Sequence, residues 1–217
     1  ILHAEHGGGN NSTFACRVLT STGTDFYSAI AAAVGSLKGF RHGGANIKVV
    51  EMMQYLRNAV GNWKDDGQVK DQLVRILRRE LGDGTGLIYG MGHAVYTLSD
   101  PRAEILKQFS RHLAEKRGMV DQLDLIESVE RLAPQVFQEV RGIDKPICAN
   151  VDLYSGFVYR LLGIPTDLYT AIFASARMAG WCAHRMEECC SDDPRIIRPA
   201  YKTVCKRVPY VPLPDRG

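Results

Sequence analysis

The chain has no long apolar run, no block of one charge, no internal repeat and no low-complexity tract. Without an apolar stretch near bilayer length, a membrane-spanning role is not expected. The net charge is only +3 over 217 residues, and the basic residues are spread out. That leaves no electrostatic footprint for nucleic acid or a membrane surface. The opening Ile1-Leu2-His3 carries neither a charged leader nor an initiator Met. It therefore reads as a truncated start rather than a signal peptide, with a helical pattern already running at residue 1. Six cysteines make no disulfide framework in a chain this long. Cys16, Cys148, Cys182 and Cys205 are scattered among apolar residues. Cys189 and Cys190 are adjacent, so they cannot be two well-spaced zinc ligands. Reduced, buried thiols in a cytoplasmic protein are the expectation. Alternating strand patterns are also missing, with 93–97 the one short candidate. What is present, 45% hydrophobic and 24% charged residues, suits one or two packed soluble domains.

The periodicity that remains is helical. Asp25 can cap a helix over 26–37 that Gly39 stops. Ala45, Val49, Met53, Leu56 and Val60 form a second stripe. Val69, Leu73, Ile76 and Leu77 form a third, ended by Gly82-Asp83-Gly84. Residues 82–96 are glycine-rich loop. Asp100-Pro101 starts a helix whose buried face is Ile105, Leu106, Phe109 and Leu113. A helix over 119–140 is kinked or broken at Pro134. Another covers 151–162, closed by Gly163-Ile164-Pro165. The last opens at Thr166 or Asp167 and runs to about Glu188, before an extended, proline-bearing tail.

Several polar residues stand in short stretches punctuated by Gly or Pro. Asp152 begins a helix, where it is either a general base or a first-turn acid favoured by the dipole. His42 precedes Gly43-Gly44 and a helix start. The dipole disfavours its protonation, leaving a neutral N–H donor or a helix-capping histidine. His93 lies among loop glycines. His3 and His6 are spaced for one helix face, as a metal pair or as structural or substrate-binding histidines. Arg102, Arg177 and Arg198 are planar forks suited to carboxylates, or surface residues.

Seven segments in register then carry a resemblance. They are His3-Ala4-Glu5-His6, His42-Gly43-Gly44-Ala45-Asn46, Gly90-Met91-Gly92-His93, Asp100-Pro101-Arg102, Asn150 to Gly156, Ala176-Arg177 and Ile197-Arg198-Pro199. Together they resemble citrate synthase from near its middle to its C-terminus. The resemblance implies an all-α fold, with a small helical domain inserted in a large one whose N-terminal part is absent. Large-domain pieces would be 1–53 and 164–217, and the small domain 54–163, with the active site between them. It implies Asp152 as the base, His42 as donor to a thioester oxygen and His93 as donor to the oxaloacetate carbonyl. His6, Arg102, Arg177 and Arg198 would hold oxaloacetate, with Arg198 reaching into a partner subunit of a homodimer. Leu87, Ile88, Tyr89, Gly90, Gly92 and Ala94 would form the coenzyme A loop. No metal or redox cofactor is implied, only acetyl-CoA as substrate.

This sequence departs from the family pattern at Phe40-Arg41, at Ile47-Lys48 and at Thr97, where many members carry a cation suited to coenzyme A phosphates. Lys64, Arg75, Arg78 or Lys107 could compensate for Thr97. A 2-methylcitrate synthase using propionyl-CoA, the citrate-synthase-like module of a citrate-cleaving enzyme, and a non-catalytic binding or assembly module are the rival readings. A retained His42, His93 and Asp152 set argues against the last.

Overall fold

A computed structural model describes residues 3–4, 7–200 and 204–216. The described residues are helical, without strands; one isolated antiparallel bridge joins Met91 to Ala149. Eight α-helices follow in chain order: α1 Asn11–Thr20, α2 Phe26–Leu37, α3 Ala45–Ala59, α4 Asp66–Leu77, α5 Pro101–Arg117, α6 Val120–Arg141, α7 Val151–Leu161 and α8 Tyr169–Cys189. None is long and apolar enough to cross a membrane.

Local chemistry accounts for most helix ends. The Asp25 carboxylate accepts from Ser28 N–H at 3.0 Å, and Asp100 accepts from Arg102 N–H at 3.0 Å with Pro101 at the first helical position. Both satisfy backbone donors that the first turn leaves unpaired. Gly118 and Gly142 close α5 and α6 in the left-handed conformation. α4 ends earlier than its glycines suggest. Arg79 turns left-handed at φ 67°, and Glu80 N–H bonds back to Arg75 C=O, so the stop is a Schellman-type closure built on an arginine.

Five other expectations are corrected, the first being the buried face of α5, where Ala103, Ser110 and Ala114 are buried while Ile105 and Phe109 are exposed. His3 sits in a turn and the first helix begins at Asn11, so no helix is running across the described part of the opening. Residues 93–97 form no strand. α6 runs through Pro134 without a break, because Leu132, Ala133, Val136 and Phe137 around it are buried and outweigh one lost hydrogen bond. Cys189, Cys190 and Cys205 are exposed rather than buried thiols.

Two apolar cores organise the chain. The larger gathers α3 to α7 around Leu56, Leu73, Leu123, Val129 and Leu153. The smaller packs α1, α2 and α8 around Cys16, Ala33, Leu37, Phe173 and the fully buried Trp181. α3 follows a turn whose Gly43 abuts Leu37 and Thr170, and it enters the larger core from Val49 onward. The turn before α3 and the N-termini of α5 and α7 therefore come together beside α8.

Candidate active site

A cavity of about 220 Å³ lies at this junction. His42, His93, Arg102, Asp152 and Arg177 all line it, although they are up to 135 positions apart in sequence (177 − 42).

His42 is delivered by the turn between α2 and α3. Gly43 N–H bonds to Leu37 C=O at 2.8 Å, and Thr170 Oγ1 donates to Gly43 C=O. A Cβ at Gly43 would lie 2.5 Å from the Leu37 oxygen, so only glycine lets the turn approach α2 this closely. His42 Nε2 is 3.0 Å from Ser12 Oγ. Ser12 also accepts from Trp181 Nε1–H at 3.3 Å and lies 3.0 Å from Asn10 Oδ1, which in turn accepts from Arg177.

His93 is held by its own loop. Its Nδ1 accepts from the backbone N–H groups of Val95 and Tyr96 at 3.0 and 3.2 Å. The neutral tautomer compatible with that has its proton on Nε2. Burial and the neighbouring Arg102 hold its pKa below the usual histidine value, which favours that neutral form. Arg102 Nη2 lies 3.3 Å from Nε2, so the two groups border the same part of the cavity.

Asp152 occupies the first turn of α7, behind the cap Asn150, whose Oδ1 accepts from Asp152 N–H at 3.0 Å. Burial raises its pKa to about 6 against the opposing pull of Arg102, with Asp100 adding to the rise. A carboxylate in this condition is a stronger base than a solvated one yet is ionised at neutral pH. Arg177 is 1% exposed; its Nε donates to His3 C=O at 2.6 Å and its Nη1 to Asn10 Oδ1 at 3.0 Å. His3 stacks on Phe173 with ring centroids 4.1 Å apart. Burial first, then Arg177, depresses its pKa to about 3, so it is a neutral supporting group.

With one carboxylate, two imidazoles and two guanidinium groups lining one cavity, comparison with known proteins is informative. The model of the citrate synthase C-terminal domain matches residues 1–200. This chain belongs to the citrate synthase family. It is 39% identical to the citrate synthase of Haloferax volcanii over all 217 residues, which are 52% of that protein. It is 38% identical to the 2-methylcitrate synthase of Shewanella oneidensis over 92% of this chain and 47% of that one. Among solved structures it is similar to the citrate synthase of Thermoplasma acidophilum in ternary complex with carboxymethyl coenzyme A and oxaloacetate. The TM-score there is 0.72 at 32% identity, over 99% of this chain and 53% of that chain. The chain thus spans about half the length of the citrate synthases it matches.

The remaining family-implied positions are placed unevenly. His6 lies outside the described residues. Arg198 is exposed in the extended tail and does not line the cavity. Leu87, Ile88 and Gly92 line a second cavity of about 280 Å³, which shares His93 with the first. Ala94 lines a third space of about 570 Å³ beside the 7–9 glycines. Gly90 has φ 83° and backs onto Leu153, whose Cα would be 2.8 Å from a Cβ, so its role is close packing. The Tyr89 hydroxyl donates to Asp83 Oδ2 at 2.7 Å, outside the second cavity.

Several site residues escaped the sequence reading. Asn10 and Ser12 had one cue, two polar residues just beyond a triple glycine. Asp100 was legible as a helix cap but not as the partner of Arg102. Arg41 lines the first cavity, and Lys145 lines the second beside Thr97. Lys64, Arg75, Arg78 and Lys107 do not line that second cavity. Lys64 and Lys107 pair with Asp121 and Glu130 instead.

Proposed function

We propose that the protein condenses acetyl-CoA with oxaloacetate to citryl-CoA and hydrolyses this to citrate and coenzyme A. The observation that carries the reading is the cavity in which Asp152, with a pKa raised to about 6, shares one space with His42, His93, Arg102 and Arg177. Asp152 takes a methyl proton from the thioester while an His42 N–H donates to the thioester oxygen, giving an enol or enolate. Its carbon attacks the ketone carbon of oxaloacetate. The C=O electron pair moves to the oxygen, which His93 Nε2–H and Arg102 stabilise. Water then cleaves the thioester. The arginines hold the dicarboxylate so that reacting atoms meet in a fixed geometry. None of these steps calls for a metal or redox group, since each needs only a base, donors and cations.

The family likeness supports a homodimer with Arg198 entering the partner's site, domains at 1–53 with 164–217 and at 54–163, a coenzyme A loop over 87–94, and a cytoplasmic setting. Lys145 is the cation that lines the proposed coenzyme A cavity where Thr97 has none. The 2-methylcitrate reading is favoured by the Shewanella relative. The two thioesters differ by one methylene, worth ~1–3 kcal/mol of discrimination. Steady-state rates with acetyl-CoA and propionyl-CoA decide between them. Turnover with neither would leave a binding or assembly module as the function.

A further inference from the structure

Asp100 is 1% exposed, and a buried carboxylate is tolerated only when paired and hydrogen-bonded. Four donors converge on it. Oδ1 accepts from Arg102 N–H and from Arg102 Nε, both at 3.0 Å. Oδ2 accepts from Arg102 Nη2 at 2.8 Å and from Val151 N–H at 3.2 Å. The first bond caps α5, two bind one edge of the Arg102 fork, and the last ties down the start of α7, one residue before Asp152.

We infer that Asp100 is a positioning residue for the condensation: it fixes the Arg102 fork at the cavity and fastens that fork to the helix start that carries Asp152. The inference rests on the functional reading above. A guanidinium is planar, so holding its Nε–Nη2 edge sets the direction of every remaining N–H. Those remaining donors are the ones available to a substrate carboxylate. Asp100→Asn keeps an acceptor for the α5 cap but sets an NH₂ group against Arg102 Nη2 and Val151 N–H. Donor then faces donor, and the fork and the first turn of α7 must part.

The charge of Asp100 also reaches Asp152. Facing Asp152 are Asp100 and Arg102 from α5, Tyr159 on its own helix, Arg41 and His42 before α3, His93 in the loop and Arg177 on α8. Asp100 is the carboxylate among them, so neutralising it moves the Asp152 titration down.

The test is a double-mutant cycle on the purified protein, with oxaloacetate binding read by calorimetry for wild type, Asp100→Asn, Arg102→Gln and the pair, and Asp152 titrated through its ¹³C carboxyl resonance. Each single change should weaken binding at least ~10-fold, because each leaves a buried charge unpaired or removes the fork. The pair should bind within about 3-fold of Arg102→Gln alone, since residues acting through one contact are non-additive. The Asp152 midpoint should fall in Asp100→Asn. Binding by Asp100→Asn within about 2-fold of wild type, or effects that multiply in the pair, overturns the positioning role. An unmoved Asp152 midpoint overturns the link to α7. Should Asp100→Asn fail to fold, the pair, which buries no lone charge, still decides against Arg102→Gln. If wild type binds no oxaloacetate, the substrate reading falls while the Asp152 midpoint still decides the role of Asp100.

Discussion

At the residue scale the decisive quantity is the proton affinity of Asp152. Burial raises it to about 6, and Arg102 keeps it from rising further. As the base must be ionised, kcat/KM should climb with pH through about 6 and then level. A pH–rate profile with its acid limb near 4 would refute this assignment of the limb. Asp152→Asn should lower kcat by ~10²–10⁴ while oxaloacetate still binds. Surviving wild-type exchange of the acetyl-CoA methyl protons would remove Asp152 from the base role. The same shift has a stability consequence. A carboxyl whose folded pKa is raised binds more protons folded than unfolded between its ordinary value and about 6, so its contribution is lost as pH rises through that window. At pH 8 Asp152→Asn should therefore stabilise the protein, by ~2 kcal/mol after allowing for partial exposure; at pH 3 thermal melts of the two should coincide. Ser12→Ala makes a fourth expectation. It leaves Trp181 Nε1–H without its Ser12 acceptor and removes the Ser12 contact at His42 Nε2. Stability should drop by ~1–3 kcal/mol and kcat by ~10-fold, with oxaloacetate binding changed far less. A fall in stability with kcat intact would show that Ser12 only supports Trp181.

At the element scale, the start of α7 is stitched to the loop that carries His93. Asn150 N–H bonds to Gly90 C=O at 2.9 Å, Asn150 Nδ2 to Gly92 C=O at 2.8 Å, and Gly92 N–H to Cys148 C=O at 2.7 Å. One residue thus caps the helix of Asp152 and holds the loop of His93. Asn150→Ala should cost ~1–2 kcal/mol as a lost cap, and it should depress kcat beyond that loss of stability. Chemical denaturation paired with single-turnover kinetics separates the two contributions; a purely structural cap would leave single-turnover rates unchanged in the folded fraction. The loop upstream has its own anchor, Asp83, which accepts from Thr85 Oγ1 at 2.6 Å and from Tyr89 at 2.7 Å. Tyr89→Phe should raise the KM for acyl-CoA a few-fold, about what one exposed hydrogen bond supports, and leave kcat alone. An unchanged KM would disconnect Tyr89 from thioester binding.

At the scale of the whole molecule, much apolar surface has no cover in this chain. Tyr27 is 82% exposed on α2, and Val204 and Tyr210 are 94% and 80% exposed in the tail. Exposed apolar side chains of this size are available to a protein contact. The proposed shared site makes the contact testable. Arg198→Ala and Asp152→Asn, each inactive, should complement when mixed and reassembled, because one site of each heterodimer then combines intact Asp152 with intact Arg198 of the other chain. Random pairing makes about half of the dimers mixed, each with one good site, so ~25% of wild-type activity is the ceiling. Heterodimers without recovered activity would make the tail a structural strap.

The sequence by itself determined the helices and most of their ends, because 3.6-residue periodicity, Asp caps and C-terminal glycines act within a few positions. It also singled out His42, His93, Arg102, Asp152 and Arg177, which line the first cavity, through the family resemblance of the motifs in which they stand. What it could not carry were relations between distant segments: Ser12 under His42, Asn10 under Arg177, Lys145 in the second cavity and Asp100 bridging two helix starts. Those partners are chosen by which faces the two cores bury, and burial is a property of packed elements rather than of neighbouring residues. The elevated proton affinity of Asp152 arises in the same way. A helix-start aspartate is ordinarily made more acidic by the dipole, and burial, which removes water, reverses that direction.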